Sequence, residues 1–535
     1  MLVKKKDGGG KSSIIRPFGN LECYEGHMIQ LRFLGNNIVS CRYAIPAPLA
    51  EPGLHDQVIA HVEDAIARVV LEHPALRVDA VNLDTKRPAW VAVEQVNFAH
   101  HVQWVDITGA KGSDNNAVAK SEETLPEIIE RRLDEPYENM AGRPRWRVLI
   151  LFKNSGDPFL DIIFDYSHAF GDGTSGKIFH ETLFRILNPP TAPVEAEIRT
   201  PILKDRILTI PPTAKTLPPP MEKAGKFSLS AKFAVSTAWK ELRPLGLSSL
   251  SAAHAHWAPI RMTPYKTRFR AFDVPADALG GILAACRARK TTVTGLLHAL
   301  LLVSLASRIP TQAAFAGSTA LDLRRHLVGV DVKSYPGLDP QRTVANYVSA
   351  MTHEFDADVV RRIREEAAKT GDDAIAPAAL VDLVWQCAAR VRGEIQKRLD
   401  SGLRNDVVGL MKLIPDWRAQ LRADAGKPRP HSFVVSNLGV LNGEPLLRDS
   451  TEEKKEEEKE NRDGDAGSRS RWRIAYSTFA ISAEVCGAAF QVSPISVRDG
   501  SLCMGCSWQD CVVNLKLGEA IVGDLERWLQ FLAKT

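Results

Sequence analysis

Nowhere does the chain carry an apolar run approaching the roughly 18 uninterrupted residues that a membrane-spanning helix needs, so no transmembrane segment is expected. Charge is nearly balanced. A net +4 over 535 residues, with no basic stripe interleaved with aromatics, gives no reason to expect a nucleic-acid partner. Cysteine is scarce: eight residues scattered through hydrophobic segments read as reduced thiols rather than a disulfide framework. Cys503-Met-Gly-Cys506 with Cys511 is half of a zinc pattern, but no second ligand pair follows at metal spacing. Buried strand thiols are the better reading, and no metal is expected. Met1–Ser13 is basic and glycine-rich without an apolar h-region, which predicts no secretory signal and a cytoplasmic protein. Phosphate-cradling glycine loops are missing, as are a Gly-x-Ser-x-Gly elbow and any repeat of solenoid period.

What is present is an ordinary globular composition, 44% hydrophobic and 25% charged, in a chain too long for one hydrophobic core. Two segments stand apart. Asn188–Pro220 is proline-rich and reads as an extended surface connection. Asp449–Arg471 has no apolar side chain except Ala466, cannot offset the entropy of its own ordering, and reads as a disordered acidic insertion between two strands. Elsewhere helices and strands alternate. Leu54–Leu71 carries a helical apolar stripe, and Trp146–Phe152 and Phe159–Tyr166 are strands joined by a turn over Asn154–Pro158. Ser175 reads as the N-cap of a following helix. Ala276–Arg289 and Thr294–Ser307 are expected helices, and Phe315–Leu321, Ser432–Val435, Ile474–Thr478 and Gly487–Val492 expected strands. The fold class is α/β (α+β) in two lobes: residues 1–225, a crossover over 226–260, and residues 261–535 carrying the insertion at 449–471.

The segment that carries chemistry is Asp165-Tyr-Ser-His168-Ala-Phe-Gly-Asp172-Gly173, where a hydrophobic strand ends and a helix begins. Histidine titrates near neutral pH, so His168 can take a proton from an attacking hydroxyl or amine and return it to a leaving group. Asp172 is placed either to orient that ring or to pair with an arginine and fix the turn; spacing alone leaves both open. Gly171 and Gly173 on either side of Asp172 are expected to permit a tight turn. Chance would place His-x-x-x-acid-Gly about 0.1 times in a chain with 14 His, 64 acidic residues and 36 Gly. The bland alternative is a buried histidine satisfied by loop backbone. Ser167 beside it points to the opposite face of the strand, against a serine nucleophile. Asp165, His168 and Asp172 as a metal set would need a loop closure the glycines do not demand. His298, on an apolar helix, reads as a core histidine.

His168-Ala-Phe-Gly-Asp172-Gly173 resembles the His-x-x-x-Asp-Gly signature shared by chloramphenicol acetyltransferase, the plant BAHD acyltransferases and the peptide-synthetase condensation domains. Other landmarks follow in order: His73-Pro74-Ala-Leu76-Arg77, Asp322-Leu-Arg324-Arg325 and Asn346-Tyr347. Within that superfamily, Arg16-Pro17-Phe-Gly-Asn20-Leu-Glu22, Thr292-Val-Thr294-Gly-Leu-Leu-His298 and Val435-Ser436-Asn437-Leu-Gly439 are similar to the fungal alcohol acetyltransferases. The chain departs from the plant members in lacking Asp-Phe-Gly-Trp-Gly, and its acidic insertion is a second departure.

The resemblance implies two chloramphenicol-acetyltransferase-like lobes, each a mixed sheet with helices, and a channel between them. It implies acetyl-CoA or another acyl-CoA as co-substrate and no bound cofactor. His168 would be the base, with Asp172 and Gly173 forming its loop. Arg324, or else Arg498, would be the partner of Asp172, with Asp322 in support. Ser436, Asn437, Thr294 and Asn346 would line the acyl-CoA or acceptor channel, the first two as oxyanion donors. The expected reaction is ester formation from acyl-CoA and an alcohol by direct transfer. Amide formation on an amine such as a sphingoid base is the alternative within the class. A catalytically inactive binding or scaffold protein is the alternative outside it. A monomer is expected, and the amphipathic pattern of Ala520–Lys534 leaves room for peripheral contact with endoplasmic reticulum or lipid-droplet membrane.

Overall fold

The structure is a computed structural model that describes residues 14–51, 53–107, 123–137, 142–153, 159–189, 201–212, 216–242, 251–327, 335, 337–369, 377–444 and 471–534. The expected turn over Asn154–Pro158 and nearly all of the acidic insertion lie outside the described residues.

Two large sheets organise the molecule. Two small ones flank them: β1 (Ile14–Pro17) with β4 (Ala89–Ala92) and β3 (Val78–Val81), and β5 (Gln95–Asn97) with β9 (Ile207–Thr209). The first large sheet combines β2 (Asn36–Ala44), β6 (Val102–Asp106), β7 (Trp146–Phe152), β8 (Phe159–Ser167) and β15 (Arg473–Ile481) in the order β15-β2-β8-β7-β6. β7 and β8 form the expected hairpin pair, with Trp146 opposite Tyr166. The second sheet has the order β10-β17-β16-β13-β11-β12, and β14 adds to β16. Its strands are β10 (Thr267–Val274), β11 (Phe315–Asp322), β12 (Val348–Phe355), β13 (Phe433–Val435), β14 (Val440–Leu441), β16 (Phe490–Val497) and β17 (Leu502–Gln509). Three strands expected in the second half are therefore present, and the fourth, expected over Gly487–Val492, runs later as β16. β15, from the C-terminal half, closes the edge of β2 in register from Arg473↔Ala44 to Ile481↔Asn37.

Helices cover both faces of the first sheet because its strands are apolar on both faces. α1 (Asn20–Gln30), α2 (His55–Glu72), α3 (Leu125–Asp134) and α4 (Gly173–Leu187) belong to this half. Ile162, Phe164 and Tyr166 of β8 pack with Phe179 and Leu183 of α4 on one side. Ile163 packs with Ile128, Ile129 and Leu133 of α3 on the other. The helix Val293–Arg308 is buried at every position from Gly295 to Ala306, so its all-round apolarity is that of a core helix. The C-terminal helix Leu515–Leu532 turns Ile521, Val522, Leu525, Leu529 and Leu532 into the same core. Its apolar stripe is thus occupied by protein. Among the described residues no single helix is long and apolar enough to cross a membrane. Cys503 and Cys506 lie three apart on β17 and so face opposite sides of the sheet, both buried.

Because β15 closes the first sheet, residues 1–225 expressed alone should not make a stable lobe. They leave β2 with an open edge beside the apolar Val39, Cys41 and Tyr43. Size-exclusion chromatography and near-UV circular dichroism of that fragment should show aggregation and no fixed tertiary signal. A monodisperse fragment with native-like near-UV bands would refute this.

Candidate active site

β8 is buried from Leu160 to Ser167, and its alternation sends neighbouring side chains to opposite faces. Asp165 goes to the α3 side, where Arg132 Nε (2.9 Å), Arg147 Nε (3.0 Å) and the Tyr137 hydroxyl (2.8 Å) all donate to it. Tyr166 goes the other way, and its hydroxyl donates to the Asp172 carbonyl at 2.7 Å. After Ser167 the chain turns, with Phe170 N donating to Ser167 O at 3.0 Å, and enters α4.

Asp172 is the N-cap of α4: its Oδ1 accepts from Ser175 N (2.9 Å) and Ser175 Oγ (3.0 Å). Arg324, fully buried, donates from Nη1 to Oδ2 at 2.7 Å and from Nη2 to Oδ1 at 3.0 Å. Tyr347 N adds a bond to Oδ2 at 2.8 Å. Burial alone would raise the Asp172 carboxyl; the Arg324 guanidinium and these hydrogen bonds overcome it and hold the group below its ordinary range. Arg324 also donates to the Ala345 carbonyl at 2.7 Å.

His168 stands on the turn itself, with its side chain 15% exposed. Asn346 Nδ2 donates to the His168 carbonyl at 2.9 Å and lies 3.3 Å from the ring Nδ1. Glu25 Oε1, from α1, is 3.8 Å from that same nitrogen. Nε2 has no hydrogen-bond partner among the described residues. Burial pushes the Glu25 carboxyl up to about 7, against the pull of His168 and with a further push from Glu484. Glu484 is raised by burial too, opposed by His168 and Arg429. Asn346 Nδ2 can only donate, so Nε2 is able to take up a proton in the tautomer that carries the ring hydrogen on Nδ1, facing Glu25.

A family model described as alcohol acetyltransferase matches residues 119–325. The chain is 26% identical to the probable alcohol acetyltransferase FCK4 of Fusarium pseudograminearum, over 97% of this chain and 96% of that one. It is 24% identical to the probable alcohol acetyltransferase crmB of Aspergillus fumigatus, over 93% and 95%. Among solved structures, the TRI3 trichothecene 15-O-acetyltransferase of Fusarium sporotrichioides superposes with a TM-score of 0.63 at 14% identity, covering 97% of this chain and 95% of its own. The condensation domain of the Monacolin K polyketide synthase MokA shares the fold at a TM-score of 0.52 and 11% identity, over 97% and 96%.

Over nearly its whole length the chain is thus similar to proteins named as probable alcohol acetyltransferases. Its two sheets form the two-lobed fold of chloramphenicol acetyltransferase and the condensation domains.

The expected site residues fall into two groups. His168, Asp172, Gly173, Asn346, Arg324 and Asp322 form one connected knot. Asp322 joins it by accepting from Thr174 Oγ1 (2.9 Å) and Arg324 N (2.9 Å). Ser436, Asn437 and Thr294 form the other: Asn437 Nδ2 donates to Thr294 Oγ1 at 3.1 Å, and its Oδ1 accepts from Gly439 N at 2.8 Å. Leu438 joins the groups by packing on Gly173; no hydrogen bond runs from Ser436, Asn437 or Thr294 to His168.

Two expectations are corrected. Arg498 is exposed and bonds through its backbone to Leu441, so among the described residues Arg324 is the arginine that pairs with Asp172. Ser175 is the third residue of α4, and Asp172 is the cap. At Gly171 and Gly173 a Cβ would obstruct the turn, meeting Ser175 Cβ at 2.6 Å and Leu438 Cδ2 at 2.7 Å. His298 is core as expected, bonded through Nε2 to Thr319 Oγ1 at 2.7 Å. Reading the sequence missed Glu25, Glu484 and the Tyr347 amide, each brought in by long-range packing. The one available signal was the acidic residue at 25 on an otherwise half-apolar helix.

Replacing Asp172 with Asn leaves the Arg324 charge buried and unpaired, and should cost about 3–5 kcal/mol in urea denaturation at pH 7. Asp172 is depressed in the folded state, so its contribution is present above the unfolded value near 4 and is lost as pH falls through the lower folded value. The stability gap between wild type and Asp172→Asn should accordingly narrow below about pH 4. A gap that is small at pH 7, or that widens in acid, would contradict the assignment.

Proposed function

We propose that this acyltransferase moves an acyl group from acyl-CoA, in the simplest case acetyl-CoA, to the hydroxyl of an alcohol, with His168 as general base. The observation that carries this reading is the His168 ring itself: Nδ1 beside the Glu25 carboxylate, Nε2 without a hydrogen-bond partner among the described residues, the His168 carbonyl held by Asn346, and Asp172 fully engaged with Arg324. Nε2 takes the proton of the acceptor hydroxyl as its oxygen attacks the thioester carbonyl. The tetrahedral oxyanion then collapses, the carbon–sulfur bond breaks, and the imidazolium returns the proton to the departing thiolate. Direct transfer is supported by the absence, among the described residues, of a serine, threonine or cysteine side chain bonded to His168; Ser167 is buried in β8.

Asn437 already donates to Thr294, which leaves the Ser436 hydroxyl as the more available oxyanion donor of the expected pair. Such a donor is worth a few kcal/mol. The proposed lobes, residues 1–225 and 261–535 joined by 226–260, meet at His168. Acyl-CoA and acceptor would reach the ring from the two ends of a channel there, and both walls come from one chain, consistent with a monomer. The names of the curated relatives favour an oxygen acceptor over an amine.

Thiol release from acetyl-CoA, followed across a panel of alcohols and amines, tests the proposal. Acceptor-dependent release should fall by about 10²–10⁴ in His168→Ala. Equal release by both proteins would remove His168 as base. Faster release with amines than with alcohols would replace the ester by an amide. No release with acetyl-CoA or longer acyl-CoA donors would favour the scaffold reading.

A further inference from the structure

The carboxylates buried in this fold share one habit, and Glu25 breaks it. Glu63, Asp79, Asp161, Asp165, Asp172 and Asp406 are each almost inaccessible, and each accepts hydrogen bonds from arginine, hydroxyl, indole or backbone groups. Glu25 is 7% exposed, and its carboxylate accepts no hydrogen bond among the described residues. The only ionisable partner within ion-pair range is the His168 ring, 3.8 Å from Oε1 to Nδ1. An uncompensated buried carboxylate is costly, and an apolar side chain at this point of α1, on the face it shares with Leu21 and Met28, would serve packing better. Rules of local stability that are broken beside a reacting group point to function.

The helix is held so that this side chain cannot drift. Arg16 pairs with Glu22 at its first turn (2.7 Å), Asn20 N donates to Glu222 at 2.9 Å, and His27 bridges Cys23 O (2.6 Å) and Thr85 O (2.9 Å). The charged and titratable groups bearing on Glu25 are His168 from the loop after β8, Glu484 from the loop after β15, and Tyr24 of its own helix; Arg429 lies behind Glu484.

We propose that Glu25 is a positioning residue for His168: its carboxylate faces Nδ1, keeps the proton there, and stabilises the imidazolium formed when Nε2 accepts the acceptor's proton. This rests on the reading of His168 as general base. The atoms balance within the step already written; Glu25 exchanges no proton with substrate and contributes a negative charge beside Nδ1 while its carboxyl is ionised. Burial has already lifted its carboxyl to about 7, so the charge is present in the upper neutral range and fades as pH falls.

Two readouts on the full chain test this. In Glu25→Gln, which keeps the shape, the two ring nitrogen signals of His168, followed by NMR of histidine-labelled protein, should move toward the tautomer with the proton on Nε2, because the carboxylate that holds it on Nδ1 is gone. The part of the acid limb of kcat/KM that follows protonation of Glu25, near pH 7, should be lost, and kcat should fall about 10- to 100-fold while KM for the acceptor stays within about twofold. Glu25→Asp, retaining the charge on a shorter stem, should recover part of both effects. Unmoved ring signals of His168 would overturn the pairing. A raised acceptor KM with unchanged kcat and acid limb would overturn the positioning role and make Glu25 an acceptor contact. Should His168→Ala prove as active as wild type, the general-base reading fails, while the NMR shift still decides whether the two side chains are coupled. A melting temperature in Glu25→Gln close to wild type excludes unfolding as the cause.

Discussion

The salt bridge between Asp172 and Arg324 is the joint that sets the rest of the site. Two charges taken wholly out of water are expensive, and their mutual attraction compensates only when the remaining hydrogen-bonding capacity is also met. Here it is met almost in full: Asp172 caps α4 through Ser175 and accepts from the Tyr347 amide, while Arg324 reaches Ser175 Oγ and the Ala345 carbonyl. Ser175 Oγ also exchanges bonds with the Ala345 backbone. Residues 345 and 347 are thereby pinned on either side of Asn346. That is why a side chain from the second half of the chain is held against the carbonyl and ring of His168.

This arrangement separates two tasks that the spacing of His168 and Asp172 left joined. Asp172, four residues after the histidine, might have been its orienting acid, but every lone pair facing the interior is claimed by the knot. The carboxylate that does reach the ring comes from α1, and it is left without hydrogen bonds of its own. A saturated acid builds the loop; an unsaturated one sits beside His168. The contrast follows from electrostatics: a carboxylate fully engaged with a guanidinium has little field left for a third party, whereas one paired with nothing else acts on the nearest titratable ring.

How much of this could be read beforehand follows from how local each signal was. The strand Phe159–Ser167, the helix starting at Gly173 and the histidine between them are contiguous, so alternation, helical spacing and the motif declared them together. Arg324 was reachable only because Asp322-Leu-Arg324 resembled a known element; nothing in the spacing linked it to Asp172, and Arg498 stood as a second candidate. Gly171 and Gly173 were recognised as positions where a Cβ would obstruct the turn, but Leu438 and Phe479, which would meet one at Gly173, come from distant segments. β15 looked like an ordinary strand of the second half, because the edge it closes, on β2, lies more than four hundred residues earlier in the chain. Glu25 was invisible for the same reason: an acid on a helix is normally a solvated residue until the tertiary packing buries it.

The segment that carries His168 and the segment that carries Glu484 are both places where the chain leaves one sheet for something else. The loop after β8 passes from the first sheet into α4. The stretch after β15 passes from the first sheet into β16 of the second, bonding as it goes to Asn36 O through Ser482 N (3.1 Å) and to Phe33 O through Val485 N (2.9 Å), and it carries Glu484. A strand interior cannot offer its polar groups to a substrate, because its backbone is paired and its side chains are packed; a crossing segment anchored at both ends can, without becoming loose. Threading β15 into the sheet of the other half makes such a crossing unavoidable at the junction. The exchange of that strand therefore does more than tie the halves together: it delivers Glu484, from the second half of the chain, to the neighbourhood of His168.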